Sequence, residues 1–320
     1  MRVIEAFRDP VRAVALSPDG QLLAAATDRH RGVWNGMTNR LRSWQNSPSD
    51  SGQFAFTPDG NWLVFLSNRR LHRLCPVSGV QLPLRSQICS GAIAISPDGK
   101  EMVATAAGFP QEVRLQRWLL PQWREANGID YWSPFSRLAF SPNGESIAGI
   151  SLTAFELRFA HSFGLNRRER PPEQLWRSEE DRLNRWRGTQ PDDRRYWDEP
   201  AIPEPSPEPA FLSFSQDRET IVFGWGPEFR VMETRAGKVL KRVETLGKPF
   251  RDVAVVGSGR YLVSVDGTPV MQMWSCDTWE PVRRYDWSVG GLTCVATSAD
   301  GWIGVCGTDT GQLLLFDVDE

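Results

Sequence analysis

Seven copies of one short turn recur along the chain, each between two apolar runs, and a chain written as repeats of one unit folds by stacking those units. The copies are Ser17-Pro18-Asp19-Gly20, Thr57-Pro58-Asp59-Gly60, Ser96-Pro97-Asp98-Gly99, Ser141-Pro142-Asn143-Gly144, Ser215-Gln216-Asp217-Arg218, Val256-Gly257-Ser258-Gly259 and Ser298-Ala299-Asp300-Gly301. Proline presets φ for the second position of a type I turn, Asp or Asn suits the third, and Gly accepts the left-handed conformation that closes a hairpin. Each copy therefore predicts two antiparallel strands. The steps between turns are 40, 39, 45, 74, 41 and 42 residues, so one period governs everything except a single interval.

The runs flanking the turns, such as Ala13-Val14-Ala15-Leu16 before the first and Trp62-Leu63-Val64-Phe65 after the second, are short and almost continuously apolar. Strands of that kind are covered on both faces, as when one sheet lies between two others. A second landmark keeps the same register: Trp34-Asn35, Leu74-Cys75, Trp118-Leu119, Phe159-Ala160, Met232-Glu233, Trp274-Ser275 and Phe316-Asp317 follow their turns by 17 to 22 residues. Five residues further on lies another turn position, occupied by Asn39, Gly79, Trp123, Gly164, Gly237 and Trp279.

With these two landmarks the chain resembles the WD40-repeat family, whose unit is a four-stranded propeller blade. The resemblance covers all of the chain outside one insertion. It implies an all-β fold: a seven-bladed β-propeller of four-stranded antiparallel blades in one domain, residues 1–320. Only Phe316-Asp317 keeps the family's terminal Asp, and no copy has the Gly-His pair that opens a typical repeat. The hydrogen-bond network of the family's His, Ser, Trp and Asp positions is therefore expected to be absent or replaced by apolar packing. The last copy ends just after its third strand, while Val3, Glu5 and Phe7 alternate like a strand ahead of the first copy. The N-terminal strand is thus expected to complete the last blade, closing the ring and removing an open sheet edge.

The long interval holds an insertion, residues 170–209, between the fourth and fifth blades. Pro172 is a possible helix start, after which Leu175, Glu179, Leu183 and Trp186 would share one face. The series Pro200, Pro203, Pro205, Pro207 and Pro209 reads as an extended, stiff return. Trp176, Trp186 and Trp197 alternate with Arg177, Arg182, Arg185 and Arg195, residue types enriched at interface hot spots. They either fold the insertion onto the ring or contact a partner. Residues 166–210 carry nine Arg against eleven acidic residues, a balance that does not draw phosphates, so no nucleic-acid partner is expected.

A net charge of −2, no apolar run of the roughly 18 residues a spanning helix needs, and a charged first strand point to a cytoplasmic protein without membrane insertion. Five cysteines show no metal-ligand spacing and no even disulfide framework. Cys294 and Cys306, about equidistant from their turn, are expected opposite each other as reduced, buried thiols.

A central active site would need suitable residues at equivalent repeat positions. His30, His72 and His161 fall 13, 15 and 20 residues after their turns and do not form one ring, and the recurring acids have a backbone role in the turns. No cofactor, metal site or enzyme activity is expected. The leading reading is a non-enzymatic interaction scaffold whose rigid ring presents loops to a protein partner. The candidate contacts are Trp176, Arg182, Trp186, Trp197, Arg12, Arg29, His30, Arg69, Arg137 and Arg251. The alternatives are a hydrolase- or lactonase-like propeller enzyme with a central-channel site, and a propeller that senses a small ligand.

Overall fold

In five of its copies the repeated turn is held by the same three hydrogen bonds. In the first copy the Ser17 hydroxyl accepts the Leu22 N–H at 2.8 Å and donates to the Asp19 carboxylate at 2.5 Å, while Gly20 N–H donates to the Ser17 carbonyl at 2.8 Å. Thr57, Ser96, Ser141 and Ser298 repeat the arrangement with Asp59, Asp98, Asn143 and Asp300. The closing glycines lie in the left-handed region, Gly20 at φ 67° and Gly60 at φ 70°. The second turn position behaves alike: Asn39, Trp123 and Trp279 all have φ 56° and Gly79 has φ 73°.

These turns generate an all-β propeller of four-stranded antiparallel blades. The computed structural model describes residues 1–46, 53–67, 70–84, 88–107, 113–131, 135–151, 156–161, 175–177, 210–215, 219–234, 238–245, 248–256 and 259–318. Its strands sort into seven four-stranded sheets, numbered here in the order in which their inner strands occur. The inner strands are Ala13–Leu16, Phe54–Phe56, Ile88–Ile95, Arg137–Phe140, Ala210–Phe214, Asp252–Val256 and Leu292–Thr297. Each contacts the next, and the last also contacts the first.

The core lies between sheets. Seven clusters of buried apolar residues each join two successive sheets; in one of them Val64, Leu71, Met102 and Trp118 unite the second sheet with the third. That explains why strands such as Leu63–Ser67 are buried at every position. The N-terminal strand Arg2–Glu5 pairs antiparallel with Gln312–Asp317, placing Ile4 among Leu16, Leu23 and Trp34 of the first sheet and Leu313 and Leu315 of the last. Ala299 N–H also donates to the Pro18 carbonyl at 3.2 Å, tying the last turn to the first.

Three expectations change. Leu175–Arg177 is the outer strand of the fourth sheet, paired with Glu156–His161, where a helix was read from Pro172 onward. An unpaired sheet edge outweighs weak helical periodicity, because every added residue there gains ladder hydrogen bonds. The connection between the fourth and fifth sheets thus begins at residue 178, and residues 178–209 lie outside the described set. Second, Cys294 faces Gly307 and Cys306 faces Val295, because the register set from the turn, with Thr297 opposite Gly304, offsets the two cysteines by one residue. Third, a Trp–Ser hydrogen bond of the kind expected to be absent is present among the described residues: the Trp274 indole N–H donates to the Ser264 hydroxyl at 2.9 Å in the sixth sheet.

Candidate functional site

In an antiparallel sheet the loop entering the inner strand and the loop leaving the second strand lie at the same end, and four of the six described candidate residues sit there. Arg12, just before the first inner strand, makes a forked pair with Asp28, its Nε 3.2 Å from both carboxylate oxygens and its Nη2 3.1 Å from Oδ2. Both partners are about half exposed, so the pair contributes little to stability. Thr27 shapes the neighbouring loop by accepting the N–H groups of Arg29 and His30. Arg29 is exposed there, and His30 is half-buried with Nδ1 3.6 Å from the Asp9 carboxylate. Arg251 occupies in the sixth sheet the position of Arg12 in the first, and is likewise exposed.

Arg137 is different. It stands four residues before its turn, and the equivalent residues of the other copies are Ala13, Gln53, Ala92, Phe211, Asp252 and Cys294. Gln53 links three sheets: its Oε1 accepts the Ile93 N–H at 3.0 Å and its Nε2 donates to the Ser136 carbonyl at 3.2 Å. Asp252 makes the corresponding bridge from the sixth sheet to the seventh, accepting the N–H of Val295 and of Val253, each at 3.0 Å. Desolvation by the surrounding protein raises the Asp252 pKa, and the Arg137 guanidinium, two sheets away, opposes the rise together with the two amides. Burial pushes the Cys294 thiol up to about 12, with the Asp252 charge adding to the effect, and Cys306 is raised for the same reasons.

At two positions of this column, Gln53 and Asp252, the side chain staples one sheet to another. The carboxylate of Asp252 is engaged by backbone amides, and Gln53 has both ends of its amide occupied. Gln53 and Asp252 went unnoticed in the sequence because the column mixes seven positions of unlike chemistry; aligning the repeats at the fourth residue before each turn is the signal that finds them. The three histidines lie in the first, second and fourth sheets, and His72 stacks on Phe65 at 5.8 Å with Gln81 Nε2 3.0 Å from its Nδ1. Burial, with Arg31 and Arg70 nearby, lowers the His72 pKa.

Trp176 lies in the outer strand of the fourth sheet, remote from Arg12 in the chain and in a different sheet. Arg69, Arg182, Trp186 and Trp197 lie outside the described residues. Of the described candidates, Arg12, Arg29, His30 and Arg251 thus lie at one end of the sheets, with the three arginines exposed, while Arg137 belongs to the column of Gln53 and Asp252. Among the described residues no group of three or more His, Cys, Asp or Glu side chains is arranged to hold a metal ion, and no helix is long and apolar enough to cross a membrane.

Residues 1–34, which span the N-terminal strand and the first three strands of the first sheet, match a family model described as WD domain, G-beta repeat. No curated protein sequence matches the chain.

Proposed function

We propose that the chain, whose first 34 residues match a WD-repeat model and whose sheets form a propeller, is a WD40-repeat protein and a non-enzymatic scaffold, a closed ring of seven blades that binds a protein partner through the loops at one end. Closure is supported by the pairing of Arg2–Glu5 with Gln312–Asp317 and by the contact of the last inner strand with the first. The observation that carries the binding role is the group of exposed cationic side chains at that end, Arg12, Arg29 and Arg251, on loops fixed by a ring whose core runs between every pair of neighbours. Anchoring loops in this way lowers the ordering cost of association. We extend the proposal to Arg182, Trp186 and Trp197, which the sequence places between the fourth and fifth sheets. Among the described residues, Cys75, Cys294 and Cys306 are thiols outside any disulfide, which supports the cytoplasm as the compartment.

The test is a comparison of partners retained by the intact protein, by Arg12→Glu/Arg29→Glu/Arg251→Glu, and by a protein with residues 178–209 replaced by a short Gly-Ser linker. Each variant is expected to keep its β-sheet circular dichroism and to lose proteins that the intact chain retains from its native host. An unchanged set with both variants would remove this end of the ring from consideration.

A further inference from the structure

At the opposite end, among the turns of the second and third sheets, Arg73 is wedged between two indoles. Its guanidinium carbon lies 4.6 Å from the ring centre of Trp62 and 4.7 Å from that of Trp123, and the two rings stand 6.0 Å apart at 74°. The three residues come from separate pieces of local structure. Trp62 follows the turn at 57–60, where its N–H donates to the Thr57 hydroxyl; Arg73 is the penultimate residue of Arg70–Leu74; Trp123 is held in the left-handed region by the turn after Val113–Leu119.

The wedge is more than a fastening between blades. Methionine or leucine would fill it without the desolvation that a cation suffers there, and burial does lower the Arg73 pKa. Its Nε is fully buried without a hydrogen-bond partner, while neither Nη is both buried and unpaired, and no described residue accepts a hydrogen bond from the guanidinium. Two aromatic faces therefore fix the plane of a cation whose terminal nitrogens are engaged by none of the described residues. A fixed, planar fork is what a carboxylate engages with two parallel hydrogen bonds.

Beside it is an apolar step. Leu82 pairs directly with Arg73 across the strands and so shares its side of the sheet; it is 37% exposed, and Val80 is 49% exposed. The turn carboxylates Asp59 and Asp98 lie in the adjoining hairpins, which disfavours a polyanion such as a nucleic-acid backbone and suits a single carboxylate.

We propose that Trp62, Arg73 and Trp123 form a docking site for an acidic segment of a protein partner, in which one Asp or Glu side chain engages the Arg73 fork and a neighbouring apolar side chain rests on Leu82 and Val80. This surface is distinct from the loop end and is tested separately from it.

The probe is an array of immobilised decapeptides whose central position is Asp, Glu, Asn, Gln or phosphoserine, flanked by randomised apolar and small residues. The intact protein is expected to retain the acidic peptides at least tenfold more strongly than their amide counterparts. Arg73→Gln should abolish that preference. Leu82→Ser, at an exposed position, should weaken acidic peptides about threefold with the fold unaltered by circular dichroism. Should Arg73→Gln fail to fold, Arg73→Lys keeps the charge without the fork and is expected to bind acidic peptides at least threefold more weakly. Equal retention of acidic and amide peptides, preference for phosphoserine over Asp and Glu, or full retention by a folded Arg73 variant would each overturn the proposal.

Discussion

The Asp252 carboxyl lies where the surrounding protein makes charge expensive, and its partners decide how expensive. Desolvation lifts its pKa above the ordinary 3.8, while Arg137 and the amides of Val295 and Val253 pull it back. Since the folded value is the higher one, the native state holds the extra proton between the two pKa values, and stability falls as pH rises through that interval. Arg137→Met removes the countercharge, so the carboxyl midpoint should move to higher pH and the interval of lost stability should widen upward. A carboxyl-carbon NMR titration checks this; an unchanged midpoint would show that Arg137 does not act on Asp252. Arg137 was legible as a loop-end cation, but the carboxyl whose pKa rise it opposes lies more than a hundred residues further along the chain.

Among the elements, the hairpin is where local chemistry is most complete. Proline, a hydroxyl, an acid and a glycine satisfy the turn within a handful of residues, and the Ser298 hydroxyl even holds the Asp300 carboxyl below its ordinary range. Two glycines separate local from packing demands. At Gly60, φ is 70° and an added Cβ would meet nothing within 4 Å, so Gly60→Ala should cost only the left-handed backbone penalty, about 1 kcal/mol. At Gly304 an added Cβ would come within 2.1 Å of the Phe316 ring on the paired strand, so Gly304→Ala should cost about 2–3 kcal/mol through overpacking. Chemical denaturation ranks the pair, and a smaller loss at Gly304 would mean that Phe316 moves aside easily. The segment Leu175–Arg177 shows the limit of local reading: its weak helical spacing yielded to an edge that only the assembled fourth sheet supplies.

Across the whole molecule, the contact between first and last sheets depends on a strand of four residues. Ile4 is 7% exposed and bridges the two sheets, so Ile4→Ala should remove about 2–4 kcal/mol from unfolding in denaturant. Deleting residues 1–5 would uncover the edge of Gln312–Asp317, whose Leu313, Leu314 and Leu315 are buried, and gel filtration should then show association through that edge. A monomeric deletion variant of unchanged stability would deny the strand this role.

What the sequence alone determined is whatever repeats: the turns, the strands around them, the left-handed positions at Gly20 and Trp279, and the division of the core among successive sheets. Each follows from interactions within one unit or between a unit and its copy, so the same signal is written many times and survives divergence. Only the tertiary structure decided which unlike residues meet: Gln53 with Ile93 and Ser136, Arg137 with Asp252, Arg73 between Trp62 and Trp123, and the strand at Leu175–Arg177. Those meetings depend on how far one sheet is rotated and displaced against the next, and no local periodicity carries that distance.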